Sequence, residues 1–117
     1  MLFRSDNPDF MIDLGDYIFS EKMTSTTTGL VPRDTVTYRC KLLRNFYEGM
    51  SHSVPIFHAM GNHEGEEGYF NDGTANNLAV WDATDRIKYF LNPSPDDFYS
   101  GDTSVQPFIG QRQSYYS

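Results

Sequence analysis

Residues 9–19 read DFMIDLGDYIF, and the fold turns on this stretch. Phe10, Met11, Ile12 and Leu14 form a short apolar run that Asp13 alone interrupts, with Asn7-Pro8 before it and Gly15 after it. Near-continuous apolar character predicts a strand over Asp9–Leu14 that is covered on both faces, as in α/β sheets. Its end delivers Gly15 and Asp16, and ligand sites in open α/β sheets lie beyond the carboxyl ends of the strands.

Moving outward, residues 20–33 (SEKMTSTTTGLVPR) are polar and Thr-rich and contain Gly29 and Pro32, which predicts a loop. A helix follows, capped by Asp34 or Thr35 and running to about Gly49. Val36, Cys40, Leu43, Tyr47 and Met50 recur at spacings of four, three, four and three, the signature of one buried helical face. Arg39, Lys41, Arg44 and Glu48 fall on the opposite face. Val54-Pro55-Ile56-Phe57-His58-Ala59-Met60 reads as a second apolar strand, with Pro55 near its start, where a ladder donor can be spared. It ends at Gly61-Asn62-His63-Glu64-Gly65. Strand, loop, helix, strand is the order of a right-handed crossover, so both strands should be parallel with their exits on one edge.

Downstream, Asn77 is placed to cap a helix over Leu78–Phe90 that Asn92-Pro93-Ser94-Pro95 ends. The remainder is turn-rich and aromatic and is read as a hairpin or surface loop. Tyr115-Tyr116-Ser117 resembles the beginning of a strand. No internal repeat is present. At 117 residues the chain is read as a single domain, 1–117.

Composition narrows the function classes. Eight Tyr and nine Phe argue for a packed core rather than disorder. Nine basic and sixteen acidic residues leave a net charge of −7, and the basic residues are scattered. A constitutive nucleic-acid scaffold needs a basic stripe and is not expected. An anionic substrate stays open, because bound cations can reverse the field of a site. Cys40 is the single cysteine, so no disulfide forms within the chain. No stretch has the length and apolarity of a membrane span.

The chemistry concentrates at the two strand exits: Asp16 after one, Asn62 and His63 after the other. A carboxylate can bridge two metal ions, an amide oxygen can add a neutral ligand, and an uncoordinated imidazole can touch a phosphate and protonate a leaving oxygen. Gly15 and Gly61 allow sharp turns where the strands deliver these groups.

Asp-Leu-Gly-Asp at 13–16 followed by Gly-Asn-His-Glu at 61–64 resembles the second and third motifs of the calcineurin-like metallophosphoesterases. Tyr38-Arg39, Arg86 with Tyr89-Phe90-Leu91-Asn92-Pro93, and Phe98-Tyr99-Ser100-Gly101 are similar to members of the secreted phosphatase-like branches, which makes a secreted or periplasmic setting compatible without fixing it. The resemblance implies a four-layer αββα sandwich and two divalent ions (manganese, iron or zinc), roughly 3–4 Å apart, that act on a phosphate-ester substrate. By position it implies that Asp16 bridges the metals, Asn62 binds the second, and His63 contacts the phosphoryl oxygen or protonates the leaving group. Phe19-Ser20-Glu21 stand where the protein serine/threonine phosphatases have Asp-Arg-Gly. Phe19 also stands where the purple acid phosphatases have a metal-binding Tyr, so both subfamilies are disfavoured.

The sequence also departs from the family pattern. No Asp-x-His precedes Asp16 and no His follows His63, so the ligands of the family's other motifs are missing. The chain is therefore read as an internal fragment of a catalytic domain, inactive by itself; the alternative is a non-catalytic binding module that has lost its dinuclear site. Elsewhere, His52 and His58 are expected to be structural, Glu64 and Glu66-Glu67 to form a solvated acidic loop with Glu64 orienting His63, and Asp96-Asp97 and Asp102 to form turns. Arg86 is read as a phosphate contact or half of an ion pair, and Met23, Met50 and Met60 as packing residues.

Overall fold

The computed structural model describes residues 7–23, 25, 30–64 and 70–117. Gly29, Gly65 and Glu66-Glu67 lie outside them, as do Thr24, Thr26, Thr27 and Thr28 of the Thr-rich loop. Strand β1 (Met11–Asp13), helix α1 (Arg33–Ser51), strand β2 (Ile56–His58) and helix α2 (Leu78–Tyr89) follow in that order, and a hairpin of β3 (Val105–Gln106) and β4 (Gly110–Gln111) closes the chain. A short 3-10 turn covers Ser20–Lys22.

β1 and β2 pair in parallel, with Met11 opposite Ile56, Ile12 opposite Phe57 and Asp13 opposite His58. Met11 N–H donates to the Pro55 carbonyl at 2.9 Å and Ala59 N–H to the Asp13 carbonyl at 2.8 Å. Pro55 sits where its missing donor costs no ladder bond. The parallel pair joined through α1 is the α/β unit read from the sequence.

Coverage of both faces of β1 is corrected. Ile12 is 54% exposed, Phe57 46% and Leu14 83%, so one face of the strand pair is open. The other face meets the core of Tyr17, Ile18, Cys40 and Phe90, against which Leu43, Tyr47 and Tyr89 pack. The buried face of α1 is the predicted one, with Val36 and Cys40 fully buried. Burial also pushes the Cys40 thiol up to about 12, so it stays a small apolar group.

The start and end of α1 differ from expectation. The helix begins at Arg33, with Pro32 in extended geometry at the cap position and no side-chain cap. Arg33 is held in the first turn by a long-range pair: its guanidinium donates to both Asp85 oxygens at 2.6 Å, and Thr37 Oγ1 donates to Asp85 Oδ2 at 2.7 Å. Burial opposes ionisation of Asp85, yet the Arg33 and Thr37 hydrogen bonds outweigh it and hold the carboxyl below its usual range. This cluster ties α1 to α2. At the other end the helix runs through Gly49 to Ser51, with Gly49 taking no left-handed conformation that would stop it.

α2 begins as read. Asn77 Oδ1 accepts the Val80 N–H at 3.0 Å, while its Nδ2 donates to Asp72 Oδ1 and the Thr74 carbonyl at 2.8 Å. Arg86, 1% exposed, corrects the phosphate-contact reading: its guanidinium donates to the carbonyls of Arg112 and Gln113 and pins the C-terminal segment onto α2. Tyr116 bridges Gly101 in antiparallel fashion, and the Ser117 N–H donates to the Ser100 carbonyl at 2.8 Å. The strand-like ending thus finds its partner earlier in the chain. Asp96 and Asp102 form the expected turns, Asp96 Oδ1 accepting the N–H groups of Phe98 and Tyr99 at 2.7 Å and Asp102 Oδ1 accepting that of Ser104 at 2.9 Å.

Candidate active site

The two strand exits touch through their glycines. Gly15 has φ 89° and Asp16 φ 59°, two consecutive left-handed residues that turn the chain abruptly after β1. Glycine takes this conformation freely, and Asp is among the few residues that tolerate it. A β-carbon on Gly15 would stand 2.3 Å from Gly61 N, and one on Gly61 would stand 2.0 Å from Asp16 Oδ1 and 2.6 Å from Asp16 N. The bare Gly61 backbone is thus the seat of the Asp16 carboxylate. On the same side, the His63 N–H donates to Asp16 Oδ1 at 3.3 Å.

Glu64 locks this arrangement. It is fully buried, and its Oε2 accepts the N–H groups of Asp16 at 2.6 Å and Gly61 at 3.0 Å, while Oε1 accepts that of Ile18 at 2.7 Å. Three charge-assisted bonds to main-chain donors repay the burial of one carboxylate. The expectation of a solvated Glu64 that orients His63 is therefore corrected: its oxygens hold the two exit loops together. The carboxylate beside His63 is Glu21, whose Oε1 lies 3.2 Å from Nδ1. The imidazole stacks on Phe19, with ring centroids 4.0 Å apart and planes at 29°. Glu21 comes from the 3-10 turn that follows the first exit, so one loop supplies both the Asp16 carboxylate and the walls around His63.

Asp16 and Asn62 are both exposed at this edge, and neighbouring Tyr17 turns the other way, into the core. There it joins an aromatic cage around His58, whose ring centroid is 5.3 Å from Tyr17, 5.3 Å from Tyr47 and 5.2 Å from Phe90. Burial pushes the His58 imidazole below its ordinary value, with the Asp13 carboxylate opposing, so His58 is a packing group as expected. The Tyr47 hydroxyl donates to Asp13 Oδ2, and Asp13 Oδ1 accepts the Gly15 N–H at 2.9 Å. The polar interruption within β1 thus anchors the turn that presents Asp16.

The geometry brings together Asp16, Asn62 and His63, the residues singled out by sequence. It adds Glu21 and Glu64, whose parts depend on contacts between distant segments. For Glu64 the usable signal was its place three residues after Gly61; for Glu21 there was none. As metal donors, the carboxylate of Asp16 and the amide oxygen of Asn62 are oxygen ligands suited to a hard or borderline divalent ion. They do not complete a centre: among the described residues no group of three or more His, Cys, Asp and Glu is gathered to hold an ion.

The family model described as calcineurin-like phosphoesterase matches residues 1–111. No curated protein and no solved structure matches the chain. The match spans nearly the whole length and takes in both exits, so the chain belongs to the calcineurin-like phosphoesterase family.

Proposed function

We propose that Asp16, Asn62 and His63 form part of the site of a metal-dependent phosphoesterase that hydrolyses a phosphate mono- or diester. The supporting observation is the seating of the Asp16 carboxylate on the Gly61 backbone, beside the His63 main chain. Asp16 would hold divalent metal through its carboxylate and Asn62 through its neutral amide oxygen, with manganese, iron or zinc supplying the Lewis-acid chemistry when bound. His63 contacts a phosphoryl oxygen or delivers a proton to the leaving oxygen, with Glu21 and Phe19 fixing the plane of its ring.

Among the described residues these are two oxygen donors, too few for a dinuclear centre, and on this reading residues 1–117 by themselves are expected not to turn over substrate.

The test compares this chain with the same chain extended by the sequence flanking it in its gene, assayed for manganese-dependent hydrolysis of an aryl phosphate. The extended protein is expected to hydrolyse it and the present chain not to. His63→Ala is expected to slow the extended protein by roughly 10²–10⁴-fold, the usual contribution of general acid catalysis. An inactive extended protein, or one indifferent to His63→Ala, contradicts the proposal.

A further inference from the structure

Beside the strand exits lies a cavity of about 430 Å³ that the two motifs do not use. Leu30 and Val31 from the approach to α1, Phe70, and Leu78 and Trp81 from the first turns of α2 give it an apolar lining. Glu21 stands on its wall, and the same carboxylate lies 3.2 Å from His63 Nδ1. One side chain therefore separates the candidate proton donor from an apolar chamber of a size that takes a small organic group.

We infer that this cavity receives the alcohol portion of the ester, and that the preferred substrate is the phosphate ester of an uncharged aromatic alcohol. The inference rests on the reading of Asp16, Asn62 and His63 as the phosphate-binding end. Two of the lining side chains, Trp81 and Phe70, are aromatic and suit a flat ring. Among the described residues the single charge on the lining is the Glu21 carboxylate, and no described Lys or Arg lines the wall. A second phosphate or a carboxylate on the substrate would meet repulsion with no compensating cation. A sugar would need several hydrogen-bond partners, and of the two amides on the wall, Asn76 and Asn77, that of Asn77 is committed to Val80, Asp72 and Thr74, which leaves Asn76 alone. Nucleoside polyphosphates and sugar phosphates therefore fit poorly, whereas an aryl ester fits.

Trp81 is the only tryptophan of the chain, so its emission reports on the cavity directly. The chain as it stands, without added metal, is titrated with phenol, phenyl phosphate and glycerol 2-phosphate. Phenol and phenyl phosphate are expected to change Trp81 emission saturably and to shield it from acrylamide, while glycerol 2-phosphate over the same range does neither. Leu30→Asp, at a position 70% exposed and hence tolerant of a polar side chain, is expected to weaken phenol binding about tenfold by placing a second carboxylate at the wall. The inference is overturned by the absence of a saturable response, by an equal response to glycerol 2-phosphate, or by unchanged phenol affinity in a folded Leu30→Asp protein. Asp16→Asn is expected to leave the phenol titration intact. An extended protein with its own sequence that does not hydrolyse the ester, while phenol binding is preserved, therefore counts against the catalytic reading alone, and one that hydrolyses the ester without binding phenol counts against the cavity alone.

Discussion

The carboxylate of Glu64 accepts the main-chain N–H of Asp16 at 2.6 Å, across 48 residues of sequence. With its bonds to Ile18 and Gly61, this contact fixes the distance between the two exit loops, and therefore between Asp16 and His63. Glu64→Gln keeps the size of the side chain but turns one acceptor into a donor that faces N–H groups. Urea unfolding is expected to show a loss of about 1.5–3 kcal/mol, the range for hydrogen bonds to a charged group. A loss below about 0.5 kcal/mol, the scale of an ordinary surface change, would remove Glu64 from this role.

The glycine pair gives a second prediction. Gly61→Ala puts a methyl group 2.0 Å from Asp16 Oδ1, and relief requires the carboxylate or the loop to move. Overpacking of this kind costs about 1–3 kcal/mol. Gly15→Ala, which meets backbone at 2.3 Å and also carries φ 89°, should cost more than Gly61→Ala in the same denaturation experiment. Gly49→Ala, with open space around it, should be neutral or slightly stabilising because alanine favours the helix interior. Any other ranking contradicts the close approach of the two exits.

A third prediction concerns pH. His58 has a folded-state pKa below its ordinary 6.5 because it is buried among aromatic rings. The unfolded chain therefore takes up a proton first as the pH falls, and stability drops from about pH 6.5 downward, levelling only once the folded state is also protonated. Thermal melts between pH 7.5 and 5 should show this decline, and His58→Phe should flatten it. An equally steep decline in His58→Phe would assign the effect to other groups.

The open face of the strand pair leads to a fourth. Leu14 is 83% exposed and Ile18, four residues on, is fully buried. Leu14→Ser should change the unfolding free energy by no more than about 0.5 kcal/mol, while Ile18→Ala should cost about 2–4 kcal/mol through the cavity it leaves. Comparable costs would mean that the face carrying Ile12, Leu14 and Phe57 is covered in solution.

These contrasts mark how far the sequence is legible. The periodicity of Val36, Cys40, Leu43, Tyr47 and Met50 identified the buried face of α1, and the Asn77 cap identified the start of α2, because both are local. The parallel pairing followed from strand, helix, strand order. What escaped was set by long-range contacts: Arg33 entered the first turn of α1 to meet Asp85, Glu64 was drawn inside by three N–H donors, and Glu21 came to lie beside His63. The exposure of Ile12 and Leu14 escaped for a different reason, since an apolar strand states that it prefers cover without stating whether cover is there.

The most direct test of the account places a metal ion. Titration of the chain with manganese, followed by paramagnetic broadening of its amide signals in NMR spectra, should give weak binding with broadening centred on Asp16, Asn62 and His63 and abolished in Asp16→Asn. Broadening centred instead on the acidic turns at Asp72 or Asp96, or unaffected by Asp16→Asn, would contradict the assignment of the strand exits as the metal-binding edge.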